Sequence, residues 1–277
     1  MITRRQVATT GAAAALGGLV GGASASAASA GPAMPEGFRF DQVRLVNLSH
    51  VNDPATTNVF PGDPPFTLEV IDTIPEDGFY LQYMREGEHT GTHYGAPGHF
   101  NAGQPLADQL DPGDFFRPAV KIDVREQSRH DANYAVTIED VRRHERRYGR
   151  IPDESFVVIW TGWDAKWGTP AYPNQSPDGV IHQPGFAVDT VRWLIDTGRL
   201  GRRGGTGTDT FSPDVGTDET FTVSKLVYRR HRLSLEILGN LAQLPPAGAW
   251  LLAGGPINHR GAGAPSTIFG FIPEHGR

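Results

Sequence analysis

Three of the ten histidines, His89, His93 and His99, fall inside one stretch, EHTGTHYGAPGHF at 88–100. Imidazole binds zinc, manganese or iron, and when unbound it is a general base near neutral pH. The four-residue spacing of His89 and His93 would set both on one face of a helix. Thr90, Gly91, Thr92, Gly95 and Pro97 oppose a helix, so a loop or a strand end has to aim them. A catalytic zinc site takes three protein ligands and keeps one position for water. His89 and His93 supply two, and the third must come from His99, Glu236 or a neighbour such as Asp209. Glu236 lies in the apolar run Leu235-Glu236-Ile237-Leu238, where a carboxylate needs a partner or a raised pKa. If Glu236 is the ligand, His99 stays free to move protons. Without a metal, His99 and Glu236 still form an acid–base pair.

Other chemistry-bearing residues have plainer explanations. Trp160, Trp163 and Trp167 read as core or interface before they read as an aromatic pocket, given the area each buries. Asp209 and Asp214 sit among Gly, Thr, Ser and Pro, where turn hydrogen bonds account for them. Arg142, Arg143, Arg146 and Arg147 fit a solvated stripe near a helix C-terminus. Ser49 and Ser212 lack the G-x-S-x-G setting of a nucleophilic serine.

The elements that must position these groups can be read from pattern. Strands are expected at Gln42 to Leu48, Phe66 to Ile71, Ala119 to Val124, Phe156 to Trp160 and Trp250 to Ala253. One helix starts at Thr137, with Asp140 as its capping-box partner, and stops at Gly149. A second opens at Pro184, carries Ala187, Val191, Leu194 and Ile195 on one face, and ends at Gly198. Many short strands and few helices predict an α+β domain with a β-sheet core.

Composition sets outer bounds. Hydrophobic residues are 38% and charged residues 20% of the 277, which fits neither disorder nor a membrane bundle. The net charge of −6 argues against a nucleic-acid or anionic-membrane partner. The absence of cysteine excludes disulfides, thiolate metal sites and a Cys nucleophile. Residues 1–30 have the plan of an export signal: Arg4 and Arg5, a mild apolar stretch from Ala12 to Val20, then Ala-Ser-Ala cleavage sites. The arginine pair resembles a twin-arginine signal, which predicts a secreted or extracytoplasmic protein. The apolar stretch is too short to span a bilayer. Cleavage is expected between Ala27 and Gly31, leaving 31–277 as one domain with no integral membrane segment.

His89-x-Gly91-Thr92-His93-x-x-x-Pro97-x-His99 resembles the H-x-G-T-H-x-D-x-P-x-H signature of the cyclase and arylformamidase family. The likeness continues in Leu48-Ser49-His50, Phe60-Pro61-Gly62-Asp63, Trp160-Thr161-Gly162-Trp163 and Pro184-Gly185-Phe186. It ends in Gly207-x-Asp209-Thr210-x-Ser212-x-Asp214 and Leu235-Glu236-Ile237-Leu238-Gly239-Asn240-Leu241. The resemblance implies a swivelling β/β/α fold, a homodimer or larger homo-oligomer, and metal-dependent hydrolysis of amides or cyclic amides. Formylkynurenine formamidases and isatin hydrolases belong to that family.

Two ligand positions depart from the family pattern. The motif's acid is replaced by Gly95, and the histidine expected twelve residues before Glu236 is Ser224. At most one zinc or manganese ion is therefore expected, held by His89 and His93, with His99 and Glu236 as catalytic groups. The expected function is hydrolysis of a small amide, formamide or cyclic amide or ester. The alternatives are a metal-free acid–base cyclase, isomerase or dehydratase, and a non-catalytic binding protein on the same fold.

Overall fold

Phe156–Trp160 is apolar at every position and buried at every position, the mark of a strand covered on both faces. It lies at the centre of the computed structural model, which describes residues 40–274. The expected export signal at 1–30 lies outside the described residues. In chain order the strands begin with β1 (Val43–Asn47), β2 (Thr67–Asp72), β3 (Leu81–Arg85), β4 (His93–Gly95), β5 (Phe116–Asp123) and β6 (Ala135–Val136). Next come β7 (Phe156–Trp160), β8 (Gly185–Phe186), β9 (Gly205–Thr208) and β10 (Leu233–Glu236). The last three are β11 (Ala249–Gly254), β12 (Gly263–Pro265) and β13 (Thr267–Pro273). The α-helices are α1 (Ile74–Asp77), α2 (Arg125–His130), α3 (Ile138–Tyr148), α4 (Val188–Asp196) and α5 (Thr222–Val227).

Nine strands form one mixed sheet in the order β1-β13-β11-β5-β7-β9-β10-β4-β12. The central run β5-β7-β9-β10 is parallel, and the pairings outside it are antiparallel. Only Ser266 separates β12, at one end of that order, from β13, near the other. One residue cannot span a flat sheet of this width, so the sheet curls until its ends meet. Ser266 completes the closure: its N–H donates to the Thr92 carbonyl, and its hydroxyl donates to Gly254.

Alternation on the central strands divides the core in two. Phe156, Val158 and Trp160 point into the curl with Leu233, Leu235, Leu251 and Tyr94. Val157 and Ile159 point outward with Val120 and Ile122, under Val141 of α3, Val191 and Leu194 of α4, and Val223 and Val227 of α5. The result is a mixed α/β fold with a curled central sheet and few helices, as the sequence predicts.

Helix α3 begins where expected. The Thr137 side chain accepts from the Asp140 N–H, and the Asp140 carboxylate accepts from the Thr137 N–H, a cap typically worth about 1 kcal/mol. Helix α4 starts later than expected, at Val188, because Gly185 and Phe186 pair with Ala135 and Val136 as strands. The expected strand at Phe66 to Ile71 also has a different role. It forms an isolated hairpin with β3, whose strand residues are mostly exposed. Among the described residues, no helix is long and apolar enough to cross a membrane.

Candidate active site

Strand β4 pairs antiparallel with β10, which places His93 directly opposite Glu236 and Gly95 opposite Ser234. Tyr94 and Leu235 turn into the core, so period-two alternation sends His93, Gly95, Ser234 and Glu236 to the other face. His93 and Glu236 are both buried. The Nδ1–H of His93 donates to the Gly91 carbonyl at 2.9 Å, which leaves Nε2 with its lone pair free. Nε2 stands 3.1 Å from Glu236 Oε2 without hydrogen-bond alignment. Two donors each about 2.1 Å from one ion would stand roughly 3.0–3.4 Å apart, so this pair has ligand spacing.

The loop before β4 brings His89 to the same place. Gly91 has φ +60, a left-handed turn, and lies so close to Asn52 that a Cβ would meet that side chain at 2.2 Å. Thr92 fixes the turn to the sheet: its hydroxyl donates to the Ile237 carbonyl and accepts from the His50 N–H. The rings of His89 and His93 meet edge to face with centres 4.9 Å apart. His99 follows β4 in a short 3₁₀ turn, Pro97–His99, and stacks on His89 at 4.0 Å. Burial, with His93 and His99 nearby, pushes the His89 pKa down to about 2. Burial likewise lowers the His99 pKa, against the pull of Glu236. His99 nonetheless keeps an exposed part, with His89 stacked on its ring and Phe100 packed edge to face against it.

These residues enclose a cavity of about 230 Å³ together with Phe60, Phe100, Phe211 and Phe221. Asp63, Ser212 and Ser224 complete its polar lining. All four residues singled out in the sequence, His89, His93, His99 and Glu236, therefore face one space. The four phenylalanines are not evident from spacing, because they come from four separate segments.

The two departures from the family pattern have physical replacements. Gly95 lies beneath the hydroxyl of Tyr228, a fully buried residue at the end of α5 whose hydroxyl also interacts with Glu236 and Ser234. Nothing in the sequence flags Tyr228. Ser224 lines the cavity, but its hydroxyl donates to the Asp214 carboxylate, which also accepts from the Val223 N–H. The donor types suit one metal ion, since Nε2 of His89 and of His93 are buried without a hydrogen-bond partner beside a carboxylate. His93 and Glu236 already stand at ligand spacing, and the His89 donor would have to close on that pair. Neither position offers a ligand for a further ion, because Tyr228 fills the space beside Gly95 and the Ser224 hydroxyl is taken up by Asp214.

Asp209 does not join the site. Its carboxylate accepts from Thr161 N–H and hydroxyl and from the Trp163 and Asp164 N–H groups, tying together the loop after β7. His231, the histidine before Glu236 in the chain, lies outside the cavity and pairs with Asp114 at 3.2 Å. Among the described residues, Asp111, Asp114 and His231 are the cluster whose three donors lie within 4.8 Å. The Arg203 guanidinium already bridges both of those carboxylates, supplying the positive charge a cation would bring. The tryptophans behave as core: Trp163 donates to the Tyr172 carbonyl, and Trp167 stacks on His50 at 4.6 Å. None of the three lines the cavity.

Residues 46–215 match the profile of the family described as "Putative cyclase". The chain is 28% identical to isatin hydrolase of Roseibium aggregatum over 221 residues, covering 76% of this chain and 82% of that one. It superposes on isatin hydrolase A from Ralstonia solanacearum with TM-score 0.76 at 31% identity, over 84% of this chain and 93% of that one. A structure described as a potential metal-dependent hydrolase with cyclase activity shares the fold, with TM-score 0.62 at 17% identity, over 85% of this chain and 100% of that one.

Proposed function

The chain belongs to the cyclase family, and from that premise we propose that it is a hydrolase of an amide C–N bond on an aromatic substrate, either a formamide or a cyclic amide such as isatin. The observation that carries this reading is the convergence of His89, His93, His99 and Glu236 on a cavity walled by four phenylalanines. The apolar rings hold a planar aromatic group and keep bulk water away from it. The imidazoles and the carboxylate meet the polar end.

His89, His93 and Glu236 are the residues that would hold one zinc or manganese ion. Such an ion polarises a carbonyl and lowers the pKa of a water molecule. Burial favours the neutral form of His99, the form that can accept a proton from the attacking water. The oxygen adds to the amide carbon, the C–N bond breaks, and His99 returns the proton to the departing nitrogen. An amine and a carboxylic acid result, and the acid releases its proton to solvent to become a carboxylate. Gly91 and Thr92 act on the site by holding the ring of His93 and the backbone of Ile237 in place.

One observation favours the metal-free alternative. Tyr228 takes the space of the motif acid and Ser224 that of a ligand histidine, so acid–base chemistry by His99 and Glu236 remains open to this chain. Metal analysis with activity measured on chelated protein separates the two. We also propose that the protein is exported through the signal at 1–30 and acts as a homodimer or larger oligomer. The exposed apolar hairpin β2–β3 supports the second of these. An isolated two-stranded ribbon is marginal without a covering surface.

A further inference from the structure

We propose that the substrate site extends into a second cavity, behind the phenylalanines, that accepts a flexible apolar arm ending in an ammonium group. This inference rests on the hydrolase reading above and concerns the part of the substrate remote from the scissile bond. A cavity of about 310 Å³ adjoins the histidine cavity and shares Phe60, Phe211, Ser212 and Phe221 with it. The shared partition is largely side chain. Phe60 meets Phe211 with ring centres 5.7 Å apart and Phe221 at 6.2 Å, contacts that a chain of methylenes can part by ring rotation.

Beyond the partition the walls are Pro61, Val180, Ile181 and Val215, apolar groups suited to an alkyl arm. The charged residues of the lining are Asp214, Asp218 and Glu219, with no Lys, Arg or His among the lining residues. Gln183 offers a ligand little, since its amide already donates to Tyr172 and accepts from Phe211. Asp214 is held by Ser212 and Ser224, and Asp218 accepts from Thr220 and Thr222. Glu219 is exposed beside them. An arm ending in a carboxylate would meet like charge here, while an ammonium would be attracted. At about 310 Å³ the space has room for an arm of several methylenes.

The test uses formanilides carrying a para six-carbon chain that ends in ammonium, methyl or carboxylate, alongside unsubstituted formanilide. The expected order of kcat/KM is ammonium, methyl, carboxylate, with about tenfold between the ends, expressed mainly in KM and shrinking at high salt. Val215→Trp and Val180→Trp fill the second cavity from partly exposed positions. Each should raise KM for the chain-bearing substrates and leave unsubstituted formanilide unchanged. Glu219→Lys should narrow or reverse the ammonium preference. Equal KM values across the series, indifferent to Val215→Trp, would overturn the inference while the hydrolase reading stands. If no formanilide is cleaved, calorimetric binding of the same series decides. The same order of affinities supports the second cavity and rejects only the reaction, and absence of any binding rejects both.

Discussion

A Cβ built on Gly95 would stand 2.0 Å from the Tyr228 hydroxyl, so the side chain missing from β4 is replaced in space by one from the end of α5. Gly95 is not among the glycines with positive φ, and the backbone there would accept any L-residue. The obstacle to an acid at this position is therefore Tyr228 and not the main chain. Restoring the motif with Gly95→Asp and Ser224→His alone should give overpacking, typically costing about 1–3 kcal/mol, and little added metal. Adding Tyr228→Leu should recover melting temperature and raise zinc or manganese content. Thermal melting and elemental analysis of the double and triple variants check this.

The hairpin β2–β3 exposes Val70, Ile71, Phe79, Tyr80, Leu81, Tyr83 and Met84, each about half accessible. Covering them with a second copy of the chain is the expected arrangement. Sedimentation of the wild type should show a dimer or larger species, and Phe79→Asp with Met84→Lys should shift it toward monomer. Both positions are exposed, so the change should leave the fold intact.

Asp209 is expected to support the fold without touching the reaction. Asp209→Ala strands the buried Trp163 N–H and the Thr161 groups that it now satisfies. The expected loss is about 2–4 kcal/mol by denaturant titration. Metal content of the protein that stays folded should be unchanged.

Stability should fall on mild acidification. Burial lowers the pKa of His144 below its ordinary 6.5 and that of His50 to about 4. The unfolded chain therefore binds more protons below pH 6.5, and the stability these neutral rings provide is full above 6.5 and declines as pH falls toward their folded values. Asp209, raised to about 6 by burial, acts in the opposite sense over part of this range. His144→Leu isolates one contribution. It removes a buried ring whose Nε2 has no partner, and should narrow the difference in melting temperature between pH 7.5 and 5 by a few degrees, about 2–4 °C.

Much of this molecule is legible in its sequence. Phe156–Trp160 could hardly be anything but a buried strand, and Thr137 with Asp140 marks the start of α3. The histidine motif names three site residues, and Glu236 stands out as a carboxylate in an apolar run. Legibility ends where function depends on partners distant in sequence. Phe60 and Phe100 lie in segments the motifs mark, but Phe211 and Phe221 are ordinary residues until the fold brings all four together. Tyr228 carries no local signal, since its role is defined by the space above Gly95. The strand pattern at Phe66 to Ile71 is correct in type, yet it gives no sign that the hairpin leaves the core.

The most direct measurement of the central claim is the rate of isatin ring opening and formanilide cleavage by chelated protein titrated with manganese or zinc, with bound metal counted at each point. The account predicts that activity appears with the metal, saturates at one ion per chain, and falls about 100-fold or more in His93→Ala and Glu236→Gln variants that remain folded. Full activity in the chelated protein, or two tightly held ions per chain, would contradict it.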